Sequence, residues 1–122
     1  VAFGSQPLGF GTKEPWSFQA FADSVLLGGQ TIGGQSALIG NLTGTGLAPL
    51  DGRSSAATYL TVYPGVGDPP NSSNINVTLG KSVPNMSLLR YGSASGDPYT
   101  ISAYNYDGTL HYLLDVYAVV LS

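Results

Sequence analysis

No stretch of this chain carries the apolar spacing of an amphipathic helix. Its apolar residues alternate in short runs rich in β-branched and aromatic side chains. A period of two is the geometry of a strand with one face buried, because successive side chains point to opposite sides of the pleat. The clearest run is Thr58 to Tyr63. Leu60 and Val62 point one way in it, Tyr59, Thr61 and Tyr63 the other, and Pro64, which lacks the ladder donor, ends it.

The same pattern predicts strands over Trp16 to Ala22, Ser24 to Leu27, Ser36 to Thr43, Asn74 to Leu79 and Ser82 to Tyr91. In the third of these runs Ala37, Ile39 and Asn41 share one side and Leu38, Gly40 and Leu42 the other. In the next, Ile75, Val77 and Leu79 share a face. Pro84 marks an edge position or a bulge. Loops are expected at Gly44 to Ser55, Gly65 to Ser72 and Gly92 to Pro98, where Gly, Pro and Asp cluster. Tyr99 to Asn105 and Thr109 to Leu121 are read as a final hairpin turning at Asp107-Gly108, since Gly accepts the positive φ of such a turn. Short strands recurring between turn signals predict an all-β fold, an antiparallel two-sheet β-sandwich of jelly-roll or immunoglobulin-like type. The 122 residues fit one domain over 1–122, with no repeat and no linker.

Charge narrows the partners. Only 9% of residues are charged, against about 25% in an ordinary domain. The polar surface must therefore be built from Ser, Thr, Asn, Gln, Gly and Tyr. The four basic residues, Lys13, Arg53, Lys81 and Arg90, are scattered, and the net charge is −3. No basic patch exists to neutralise phosphates, which excludes nucleic acid and anionic membrane as expected partners. The longest apolar run, Leu113 to Leu121, is interrupted by Asp115 and is too short to cross a bilayer as a helix. The N-terminus has neither a basic region nor an apolar block, so it does not read as a signal peptide. The absence of Cys excludes disulfides and thiolate metal sites.

Catalytic chemistry has few carriers. His111 is the only histidine, and Asp115 lies four residues along the same strand face, about 13 Å away, too far to form a catalytic pair. Gly92-Ser93-Ala94-Ser95-Gly96 puts Ala where a nucleophile elbow needs its Ser. The carboxylates Glu14, Asp23, Asp51, Asp68, Asp97, Asp107 and Asp115 are dispersed, with no local spacing for the facing pair of a glycosidase. Most of the aspartates adjoin Gly or Pro, where a carboxylate hydrogen-bonds turn backbone. The expectation is therefore no enzyme, no cofactor and no metal, with calcium at Asp68 and Asp97 the one candidate ion. Asp115, set in an apolar strand, is expected to be a structural polar anchor, paired with hydroxyls or backbone N–H groups if buried.

All eight tyrosines lie between Tyr59 and Tyr117. Tyr offers a flat, amphipathic surface that stacks on sugars or anchors a protein interface, although aromatics also fill strands for packing alone. The candidate ligand-binding set is Tyr104, Tyr106, Asn105, Asp107 and Tyr63, with Tyr104 and Tyr106 beside the Asp107-Gly108 turn the expected exposed pair. Trp16 is read as core. Asn41, Asn71, Asn76 and Asn85 head Asn-x-Ser/Thr sequences, which are frequent by chance in so Ser/Thr/Asn-rich a chain.

Four ordered motifs carry a family resemblance. Tyr59-Leu60-Thr61-Val62-Tyr63-Pro64, Ser73-Asn74-Ile75-Asn76, Gly80 to Met86 (G-K-S-V-P-N-M), and Tyr104-Asn105 with Asp115-Val116 follow one another. Together they resemble the signatures of a module repeated in secreted actinobacterial surface proteins. The resemblance covers roughly 36–116. It lacks that module's usual R-x-L-D-T-R opening, in place of which stands Gln6 to Lys13, and its G-Y-F ending, in place of which stands Tyr117-Ala118-Val119. The N-terminal strands within 1–35 are thus assigned by it less closely than the rest. It implies a non-catalytic appendage displayed outside the cell. The expected function is a surface-displayed adhesion module recognising cell-surface glycan. The alternative is a decoration or appendage subunit of a phage virion or other large assembly, displayed on the virion surface, contacting capsid or tail proteins or further copies of itself.

Overall fold

The computed structural model describes residues 6–24, 26–27, 30–31, 34–50 and 56–121. In chain order the elements are β1 (Thr12–Ser17), α1 (Gln19–Ser24), β2 (Leu26–Leu27), β3 (Gln30–Thr31), β4 (Gln35–Ala48), β5 (Ala57–Pro64), β6 (Ile75–Thr78), β7 (Val83–Arg90), β8 (Gly92–Ala94), β9 (Asp97–Asn105) and β10 (Thr109–Leu121). They form two antiparallel sheets, one in the order β1-β9-β5-β6 with β8 also on β9, the other β10-β4-β7; β2 and β3 pair with each other. This is the all-β sandwich expected from the alternation.

The core lies between the sheets. Leu38, Leu42, Leu110 and Leu114 from the three-stranded sheet meet Leu60, Ile75, Val77, Ile101 and Ala103 from the other. Each buried Leu or Ile contributes roughly 1.5–3 kcal/mol of transfer free energy. The central strand β4 passes close beneath β6. At Gly44 an added Cβ would lie 2.8 Å from Val77 Cγ2 and 2.9 Å from Ile75 Cδ1. Glycine on the inner face lets the two sheets meet there.

Several elements differ from the sequence reading, each for a tertiary reason. The expected strand over Trp16 to Ala22 is in fact the end of β1 followed by α1. Ser17 Oγ accepts the Gln19 N–H at 3.2 Å in the manner of an N-cap, Phe18 enters the core, and Gln19 bonds Asp23 one turn on. Of the expected strand Ser24 to Leu27, Leu26 and Leu27 belong to β2; Val25 lies outside the described residues. The expected loop from Gly44 is strand as far as Ala48, because β10 continues to pair with β4 through Thr109↔Ala48. Residues 51–55 lie outside the described part. Leu79 does not share the buried face of Ile75 and Val77; it falls in the turn after β6 and is exposed. Pro84 does occupy an edge strand, since β7 ends its sheet.

The largest difference concerns the expected final hairpin. β9 and β10 do not pair. β9 has β1 along one side and β5, continued by β8, along the other, so no edge of it is free for β10, which crosses to the second sheet and pairs with β4. The tight hairpin sits at Ser95-Gly96, in the expected third loop, where both residues have positive φ (50° and 84°) and join β8 to β9.

Candidate functional site

The crossing from β9 to β10 is held by Asn105, which is fully buried. Its Nδ2 donates to Gly108 O at 2.9 Å and Leu8 O at 3.1 Å, and its Oδ1 accepts from Thr58 Oγ1 at 2.7 Å. Thr58 Oγ1 in turn accepts the Asp107 N–H at 2.8 Å, and Asp107 Oδ1 accepts the Gly108 N–H at 2.8 Å. Asn105 and Asp107 were both expected at a ligand surface. The structure makes Asn105 an internal staple and turns the Asp107 carboxylate back onto its own loop.

This staple fixes Tyr104 and Tyr106 beside β5. Leu60 pairs with Asn105 and Thr61 with Tyr104, and the Tyr106 N–H donates to Tyr59 O at 3.2 Å. Tyr59, Tyr104 and Tyr106 therefore gather on the outer face of the five-stranded sheet. Tyr59 and Tyr106 stack with ring centroids 4.7 Å apart and planes 14° apart; Tyr104 lies 6.3 Å from Tyr59 at 53°. Tyr106 is half exposed, and Tyr59 and Tyr104 are intermediate. Next to Tyr59 opens a groove of about 240 Å³ lined by Asn71, Ser72 and Ser73. The Tyr59 phenol is pushed above its ordinary value by desolvation, and further by Tyr104 and Tyr106 beside it. It therefore stays a neutral hydroxyl in the physiological range.

The part of this face around Tyr63 and Ser102 is covered. Residues 65–72 fold back over it. Tyr63 is buried with its hydroxyl donating to Gly67 O at 2.9 Å, Thr61 Oγ1 donates to Ser72 O, and Ser102 Oγ donates to Gly65 O at 2.6 Å. Tyr63 was expected at the ligand surface; it is instead the prop beneath this loop. Asn74 Oδ1 accepts the Val62 N–H at 2.7 Å, and Asn85 Nδ2 donates to Asn74 O at 2.8 Å. The asparagines of the sequence motifs thus tie loop to strand. Lys13, cross-strand from Tyr104, donates to Val66 O and Gly67 O and lies 4.0 Å from Asp68.

The other candidates fall elsewhere. Trp16 is half-buried against the core, as expected, and its Nε1 donates to Tyr112 Oη at 2.6 Å, while that hydroxyl donates to Glu14. Asp115 is exposed, opposite Asn41, so the expected structural polar anchor is corrected to a surface carboxylate. Strand alternation turns it outward while Tyr112 and Leu114 point in. His111 is exposed, opposite Thr45. Asp97 accepts Ser17 Oγ and the Tyr99 N–H, and Asp68 adjoins Lys13. Among the described residues no three His, Asp or Glu side chains stand together as a metal would require, and no helix is long and apolar enough to cross a membrane.

Tyr59 is the site residue that the sequence reading missed. Strand alternation placed it on the outer face, but only the register of β5 against β9 sets it against Tyr106. Comparison with protein-family models, with curated proteins and with solved structures finds no match for this chain.

Proposed function

We propose that this chain is a non-catalytic, surface-displayed adhesion module that holds a neutral glycan on the Tyr59–Tyr104–Tyr106 platform. The observation that carries the reading is the stacked pair of Tyr59 and Tyr106, half open to solvent and bordered by the Asn71–Ser73 groove. A pyranose ring presents an apolar C–H face and a rim of hydroxyls. The face packs on an aromatic ring, and the rim hydrogen-bonds to phenols, serine hydroxyls and an amide. Neutral phenols and the low charge of the chain suit an uncharged sugar better than an acidic one. The resemblance to the actinobacterial module, an appendage outside the cell, supports the same placement.

Retention on a panel of polysaccharides, read by affinity electrophoresis, tests the reading. One aromatic contact is worth about 0.5–1.5 kcal/mol, so Tyr106→Ala is expected to weaken binding roughly twofold to tenfold, and Tyr59→Ala/Tyr106→Ala to abolish retention. Retention of the double variant equal to that of the parent protein overturns this siting.

A second reading is favoured by a different observation. The outer face of the sheet β10-β4-β7 is apolar and nearly uncharged, which suits a structural subunit of a virion or another large assembly. Co-sedimentation with purified particles tests it; a chain that never enters a particle rejects it.

A further inference from the structure

Three strands present one face that no other element covers among the described residues. From β7 it carries Pro84, Met86 and Leu88, from β4 Thr43, Asn41 and Ile39, and from β10 Leu113, Asp115 and Ala118. Met86 is 59% and Leu88 52% exposed, and Tyr117, at the bulge of β10, 63%. Exposed apolar surface of this kind, gathered on one flat face, marks an interaction site.

The charges on these strands narrow what can cover it. Over Gln35–Ala48, Val83–Arg90 and Thr109–Leu121, the charged side chains are Arg90 and Asp115, one of each sign. Both are exposed, and neither has an ion-pair partner among the described residues. Their positions are related. Asp115 aligns with Asn41 and Met86, two residues from Ile39 in one direction along β4 and one strand to the β10 side. Arg90 aligns with Ala37 and Val120, two residues from Ile39 in the other direction and one strand to the β7 side. With a rise of about 3.3 Å per residue and a strand spacing of about 4.8 Å, each lies roughly 8 Å from Ile39 on opposite diagonals.

We propose that this face is an isologous interface with a second copy of the same chain. A two-fold axis lying in the interface over Ile39, at right angles to the Asp115–Arg90 diagonal, sets Ile39 against its counterpart. It brings Asp115 of each copy onto Arg90 of the other. The two pairs form together, as an isologous contact requires. The same axis crosses the strands of the two sheets at roughly 70°, toward the orthogonal class of sheet packing. A partner of unrelated sequence has no reason to match this opposite-sign diagonal; a second copy matches it by symmetry. The inference stands without the glycan reading, whose site is on the other sheet.

Sedimentation equilibrium of the whole chain over a concentration series reads the dimer constant. A concentration-dependent dimer is expected. Asp115→Arg and Arg90→Asp are each expected to weaken it at least tenfold, because each places like charges opposite one another, and the double reversal to restore it to within about threefold. Both positions are exposed, so each monomer should keep the parent near-ultraviolet circular dichroism. The neutral variants Asp115→Asn and Arg90→Gln, expected to weaken the dimer without repulsion, carry the same test should a reversal disturb folding. A chain that stays monomeric throughout, including one that binds a different protein on this face, overturns the proposal. So does a dimer indifferent to single reversals, or one that the double reversal fails to restore. A parent chain that forms no dimer yet is retained on polysaccharide removes this inference and leaves the tyrosine platform standing.

Discussion

Replacing Asn105 with Leu keeps the side-chain volume nearly constant and removes every polar contact that the amide makes. The cost can be worked group by group. Leu8 O also accepts the Leu110 N–H at 3.0 Å, so it is not orphaned. Gly108 O has the Asn105 amide as its only hydrogen-bond donor among the described residues, and Thr58 Oγ1 loses the acceptor 2.7 Å away. The orphaned Gly108 carbonyl costs about 1–3 kcal/mol, and the bond lost from Thr58, whose hydroxyl keeps the Asp107 N–H, about 0.5–1.5 kcal/mol, for a total loss of about 1.5–4.5 kcal/mol. That is a large part of the roughly 5–15 kcal/mol that holds a domain folded. At about 3–5 °C per kcal/mol for a chain of this size, the melting temperature should fall by roughly 5–20 °C. Urea unfolding followed by circular dichroism measures it. A loss under about 1 kcal/mol with an unchanged denaturant slope would refute the view that Asn105 staples the crossing between the sheets. Asn105→Asp sharpens the test. It keeps the acceptor for Thr58 but turns a carboxylate toward the carbonyls of Leu8 and Gly108, which favours the protonated acid and raises its folded-state pKa. Its stability should therefore be greatest in acid and decline as pH rises through that raised value.

Two further predictions concern the core and the tyrosines. Gly44→Ala should destabilise by about 1–3 kcal/mol, since the new methyl meets Val77 and Ile75 under 3 Å away, whereas Gly67→Ala, with open space around it, should be neutral or slightly stabilising. Burial pushes the Tyr91 phenol up to about 12, with Tyr99 beside it adding to the shift, and raises those of Tyr63 and Tyr112 as well. Unfolded tyrosines ionise near 10, so above that the unfolded chain binds fewer protons than the native one and stability falls as pH rises. The contribution is complete below about pH 10. Urea midpoints measured from about pH 8 to about pH 11 should drop together with the appearance of tyrosinate absorbance; a flat profile refutes the burial of these phenols.

What could be read from the chain follows from what is local. Alternation of apolar and polar residues is a property of consecutive side chains, so Leu60 and Val62, or Ile75 and Val77, declare their buried face wherever the strand is placed. The same locality explains Pro84 on an edge and the sandwich class. Pairing is not local. Asp107-Gly108 has the residues of a hairpin turn, but whether it closes one depends on whether β9 has a free edge, and β1, β5 and β8 occupy both sides. Ser17 can open a helix turn because Phe18 finds a place in a core assembled from distant strands. The candidate site divides the same way. Tyrosines near the end of β9 were visible in the sequence. That Tyr106 stacks on Tyr59, that Tyr63 is covered by residues 65–72, and that Asn105 points inward are consequences of register and of which face each sheet buries. By itself the sequence determined that this chain must be a low-charge β-sandwich. The tertiary structure decided which of its tyrosines meet solvent, because a strand residue's neighbours across the sheet are set by pairing between segments far apart in the chain.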